Sequence, residues 1–97
     1  MTKYTEELLR ISKNFFSLRS EGYLETILKD PSKYSIFCLF KDYDDEKLFN
    51  LARNGMQNLS KENLTTKEKS DHEKFLALVL GAFQAKYDEL QNESNLF

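Results

Sequence analysis

Nine consecutive residues, Phe75-Leu76-Ala77-Leu78-Val79-Leu80-Gly81-Ala82-Phe83, carry no charged side chain, and they sit in a chain of only 97 residues. In a helix, where successive residues step by about 100°, nine positions face every direction around the axis. A helix that is apolar all round must be surrounded, either by other helices of the same chain or by a second copy. The run falls well short of the roughly 18 apolar residues of a membrane span. It therefore predicts a central element with the rest of the chain packed about it. A chain of this length is enough for one core and too short for two.

The remaining sequence reads as helices. An all-β domain needs a turn signal every ~8 to 12 residues, and three Gly and one Pro cannot supply them. Tyr4, Leu8, Ile11, Phe15 and Leu18 fall on one helical stripe, which Leu9 and Phe16 widen. Arg19-Ser20-Glu21-Gly22 interrupts it, because Gly lowers helix propensity by about 1 kcal/mol relative to Ala. Tyr23, Leu24, Ile27 and Leu28 resume the pattern as far as Lys29-Asp30-Pro31, where proline turns the chain.

Asp30 followed by Pro31 is also a helix start, with a capping acceptor ahead of a residue that needs no N–H at the first helical position. It predicts a helix to about Lys41. Tyr34 to Phe40 has the composition of a buried strand, but a lone strand has nothing to pair with in this chain. Asp42-Tyr43-Asp44-Asp45-Glu46 places acids at the start of the next helix, where they complement its dipole. Leu48, Phe49, Leu51, Ala52 and Met56 form that helix's apolar side, and Asn54-Gly55 is its expected C-terminal cap. Two capping boxes, Thr65 with Glu68 and Ser70 with Glu73, compete for the start of the last helix, which is expected to end near Gln91. The fold expected is all-α, a compact bundle of four to five helices with a long, largely buried C-terminal helix. Residues 1–91 form its single domain and 92–97 a polar tail ending in Leu96-Phe97.

The formal charge is -2, and Lys and Arg are interspersed with Asp and Glu. That pattern argues against nucleic acid, whose phosphates call for a basic face. Leu51-Ala52-Arg53-Asn54-Gly55-Met56 invites comparison with a helix-turn-helix, but the spacing is one residue short and the segment after it has one clear basic residue, Lys61. Cys38 is the only cysteine, so no intrachain disulfide forms. Its apolar neighbours place it in the core as an inert thiol, which fits a reducing, cytoplasmic setting. Glu6 and Glu7 stand where a signal peptide would be apolar.

No constellation for catalysis emerges. His72-Glu73 begins like a zinc-protease helix, yet Leu76 occupies the place of the second histidine. Asp42-x-Asp44-x-Glu46 begins like a calcium loop, but Lys47 replaces its turn glycine and Arg53 its terminal glutamate. No glycine-rich phosphate loop, Ser/His/Asp set or paired-cysteine motif is present. The sequence thus points away from enzymes, metals and cofactors and towards binding. The expected function is that of a small non-enzymatic protein acting stoichiometrically on a protein partner, as an inhibitor, immunity factor or adaptor. The alternatives are a homo-oligomer holding a small ligand such as a nucleotide between subunits, and a nucleic-acid-binding regulator. The residues expected at a partner or subunit contact are Phe37, Phe40, Tyr43, Leu96 and Phe97.

Overall fold

The structure is a computed structural model that describes residues 2–95. Among these residues five helices follow one another and no strand forms: α1 (Lys3–Ser17), α2 (Tyr23–Ile27), α3 (Pro31–Lys41), α4 (Asp45–Leu59) and α5 (Thr66–Asn95). No helix among them is long and apolar enough to cross a membrane. Tyr34 to Phe40 is helical.

The helix starts are chemical. Thr2 caps α1 by accepting from the Thr5 N–H at 3.1 Å, Asp30 caps α3 by accepting from the Ser32 N–H at 3.0 Å, and Asp44 caps α4 by accepting from the Lys47 N–H at 2.8 Å. Pro31 occupies the first turn of α3. Of the two boxes competing for α5, Thr65 and Glu68 form the working one. The Glu68 N–H donates to Thr65 Oγ1 at 3.1 Å and the Thr65 N–H donates to Glu68 Oε1 at 3.3 Å. Between α1 and α2 the break falls at Gly22, whose φ of 83° is a left-handed conformation that glycine adopts without penalty.

At about 1.5 Å per residue α5 is roughly 45 Å long, which accounts for the 50 Å long dimension of the molecule. Each of the other helices packs on it. Every residue from Leu76 to Phe83 is buried within the single chain, so the apolar run is enclosed by the protein's own helices. Leu8, Ile11 and Phe15 of α1 and Leu48 and Ala52 of α4 meet it in the core. Ser12 is fully buried, and its hydroxyl donates to the Leu9 carbonyl at 3.1 Å and accepts from Gln84 Nε2 at 3.3 Å. Gly81 opens the surface of α5 for α2: a Cβ there would lie 2.6 Å from Leu24 Cδ2.

Three expectations are corrected. Asn54-Gly55 does not end α4, which continues to Leu59. Gly55 is instead a point of close helix approach, where an added Cβ would sit 3.3 Å from Leu76 Cδ1 and 3.4 Å from Phe75 Cδ1. The helix-turn-helix comparison falls with it, since residues 51–56 lie in one unbroken helix. Leu18 leaves the stripe of α1, because the helix ends at Ser17 and Leu18, as its C-cap, swings outward. Finally, α5 continues to Asn95, past its expected end near Gln91. Residues 84–95 contain neither Gly nor Pro to stop it.

Two outcomes follow for stability. Phe83→Ala removes a ring that is 1% exposed and is expected to cost ~3 to 5 kcal/mol in urea unfolding. A cost under ~1 kcal/mol would contradict the enclosure of α5. The Ser32 hydroxyl first, then the Ser32 N–H, holds Asp30 below the usual carboxyl range, and Thr65 does the same for Glu68 through its hydroxyl and then its N–H. Carboxyls with depressed folded-state values contribute stability above their unfolded values of roughly 4 and lose it as pH falls through the folded ones. Ser32→Ala should therefore be less stable than wild type near neutrality and lose less on acidification from about pH 5 to about pH 3. Equal slopes would contradict the assignment.

Candidate functional site

The apolar run of α3 faces two ways. At about 100° per residue, Phe37 and Phe40 turn towards α5. Phe40 is 7% exposed, and its ring lies 6.0 Å edge-on from Phe75 and 5.6 Å from Tyr43. Phe37 and Tyr43 are half-buried against the core. Of the residues expected at a partner contact, Phe40 therefore belongs to the core, Phe37 and Tyr43 pack beside it, and Leu96 and Phe97 lie outside the described residues.

The outward side of α3 is made by residues that sequence reasoning passes over. Tyr34 is 53% and Leu39 51% exposed, with Ile36, Ser35 and Cys38 also reaching solvent. Cys38, expected in the core, is on this side. From Tyr34 to Phe40 no side chain is charged, so α3 presents water with an uncharged surface. The available signal is that a helix lying at the edge of a bundle buries one side only. Composition alone does not say which side.

A second feature lies where the N-terminal ends of α1 and α4 meet the distal part of α5. Asp45 accepts a hydrogen bond from the Thr5 hydroxyl and pairs with Lys86 Nζ at 2.9 Å. Lys86 also donates to the Tyr43 carbonyl at 2.7 Å. Lys47 Nζ stands 3.9 Å over the Tyr43 ring, a cation–π contact. The cavity beside this network holds about 280 Å³ and has Phe83 and Tyr87, stacked at 5.9 Å, on its apolar side. Ligand pockets start at roughly 300 Å³. In this cavity the charged groups are already engaged with each other, and what they visibly do is tie three helices together.

The acids from Asp42 to Glu46 serve the start of α4: Asp44 caps it and Asp45 joins the network. His72 is half-buried beside Glu68 in the first turns of α5. No group of three or more His, Cys, Asp or Glu side chains placed to hold a metal ion occurs among the described residues.

A third surface is an open groove of about 240 Å³ between α1 and α4. Leu18, at 81% the most exposed large apolar side chain among the described residues, stands at its edge with Met56. No family, curated protein or solved structure matches the chain. The surfaces themselves are what speak to function.

The network makes a prediction. Asp45→Ala leaves Lys86 and Thr5 without their shared acceptor and should cost about 1 to 3 kcal/mol in chemical denaturation. Asp42→Ala, at an exposed position, should stay within ~0.5 kcal/mol. Equal effects at the two positions would show that the three-helix tie contributes nothing.

Proposed function

We propose that this chain is a small, non-catalytic binding protein that acts stoichiometrically on a protein partner, as an inhibitor, immunity factor or adaptor does. The observation that supports it is the uncharged outward side of α3. Tyr34 and Leu39 lie outside the buried core, Tyr34 with its ring 6.2 Å from that of Phe37, and each keeps about half of its surface in water. Fully burying one such side chain is worth ~1.5 to 3 kcal/mol, and since Tyr34 and Leu39 keep about half of their surface in water, association releases the remaining part.

The small centre of this side helps. Ser35 and Cys38 stand between Tyr34 on one flank and Leu39 on the other, so an opposing surface can approach the helix axis closely while the two larger side chains grip its edges. An eleven-residue helix is only about 16 Å long. A standard interface takes roughly 800 Å² from each partner, so α3 serves as the apolar centre of a wider contact, with a charged rim supplied by its neighbours. Interfaces are built in this way, with a dry centre that carries most of the energy.

The test is a pull-down from the native host with wild type and Leu39→Glu side by side. A single protein should co-purify with wild type at one-to-one stoichiometry and be lost with Leu39→Glu. The variant's unfolding free energy should lie within ~0.5 kcal/mol of wild type, because the position is exposed. Undiminished capture by Leu39→Glu would remove α3 as the binding surface.

A further inference from the structure

The uncharged side of α3 is bordered at one end by a pair of lysines. Among the described residues four lysines are half-buried, Lys33, Lys41, Lys74 and Lys86. Lys41 is paired with Glu89 at 2.7 Å and Lys86 with Asp45 at 2.9 Å. Lys33 of α3 and Lys74 of α5 have no ion-pair or hydrogen-bond partner among the described residues. Yet they stand together. Both line a cavity of about 220 Å³ with Ile36, Phe75 and Leu78, and both line a second one of about 170 Å³ with Thr26 and Ile27. We propose that this pair receives Asp or Glu side chains of the protein partner, whose apolar residues cover Ile36 and Leu39 beside it. The proposal rests on the reading of α3 as the binding surface and adds the chemistry of the partner which that surface selects.

The protein's own acids do not fill the role. Asp71 lines the larger cavity but is exposed and pairs with neither lysine. Asp30 lines the smaller one and is committed to the cap of α3, where it accepts from the Ser32 hydroxyl at 2.8 Å and from the Ser32 N–H at 3.0 Å. Half-burial of a lysine covers its hydrocarbon stem and keeps the ammonium at the edge of the apolar surface. Two such cations lining the same cavities repel each other. A carboxylate brought between them removes that repulsion and accepts charge-assisted hydrogen bonds from both.

Position ties the pair to the apolar side of α3. Ile36, 37% exposed, follows Lys33 by one turn and lines the same cavity, and Leu39 follows Ile36 by another. The other end of the helix has the opposite character, because Asp42 is exposed there and Lys41 is already neutralised by Glu89. A partner's acids therefore belong over Lys33 and Lys74 and are repelled at Asp42, which fixes the direction in which the partner docks. Neither cavity reaches the ~300 Å³ from which free small-molecule sites begin. That favours acids delivered on a protein surface over a free anion.

The experiment is selection of peptides from a random phage-displayed library on the full-length protein, followed by anisotropy titration of the winners. Wild type is compared with Leu39→Glu, with Lys33→Gln and Lys74→Gln combined, and with Lys33→Arg and Lys74→Arg combined, each checked by thermal melting. The expected winners carry Asp or Glu next to Leu, Ile or Phe. Their affinity should fall about tenfold or more with Leu39→Glu and with the two glutamines, fall with added salt, and survive the two arginines, which keep the charge. Winners that are lost with Leu39→Glu but ignore the glutamines, or that share a basic or uncharged consensus, overturn the acidic chemistry and leave α3 as the binding surface. Winners indifferent to Leu39→Glu overturn α3 itself. Binding of inorganic phosphate that the glutamines abolish, with no peptide enriched, assigns the pair to a free anion and overturns the partner. Self-association that vanishes with Leu39→Glu and with the glutamines assigns the face to a second copy and overturns the foreign partner. Neither enrichment nor phosphate binding counts against both readings.

Discussion

Everything in this fold depends on enclosing one stretch of α5. Eight residues in a row, Leu76 to Phe83, have no side turned to water, and a helix in that position is stable only while every neighbour is in place. The other four helices are arranged by that demand. α1 and α4 supply Leu8, Ile11, Phe15, Leu48 and Ala52 to the common core, and α3 contributes Phe40. α2, only five residues long, comes close because Gly81 leaves room for Leu24. Gly55 plays the equivalent part on α4, bringing that helix against Leu76 and Phe75. The two buried glycines are thus places where helices meet, and each accepts the roughly 1 kcal/mol that Gly costs within a helix.

How much of this is legible in the sequence depends on whether a signal is local. Asp30 with Pro31, and Thr65 with Glu68, act through hydrogen bonds spanning two or three residues, and both mark helix starts in the structure. The all-round apolar run identifies the central helix because no helical surface is left for water. What stays illegible is the choice between sides and neighbours. α3 is apolar on both sides, so periodicity does not tell Phe37 and Phe40 apart from Tyr34 and Leu39, and the apolar neighbours of Cys38 point to the core although the residue is exposed. Gly55 resembles a helix cap because its sequence neighbourhood contains no sign of Leu76, twenty-one residues away. Leu18 fits the stripe of α1 in spacing, and only the actual end of the helix at Ser17 removes it.

Enclosure of α5 also separates the surfaces from the core. Once the chain itself covers that helix, large apolar side chains elsewhere are not needed for folding. Those exposed among the described residues are Tyr34, Ile36 and Leu39 on α3, Leu18 and Met56 beside the groove, and Leu90 on α5. The outward side of α3 is uncharged and has small residues along its centre, whereas the slot beside Leu18 and Met56 is bordered by arginines. The polar network of Thr5, Asp45 and Lys86 ties the N-terminal ends of α1 and α4 to the distal part of α5.

The central claim is that one copy of the chain is sufficient to bury α5. Native-state hydrogen exchange of the amides from Leu76 to Phe83, measured over a wide dilution series, tests it most directly. These amides should exchange only through global unfolding, with protection equal to the unfolding free energy and independent of protein concentration. Protection that weakens on dilution would show that a second copy completes the core, and would contradict the enclosure of α5 by its own chain.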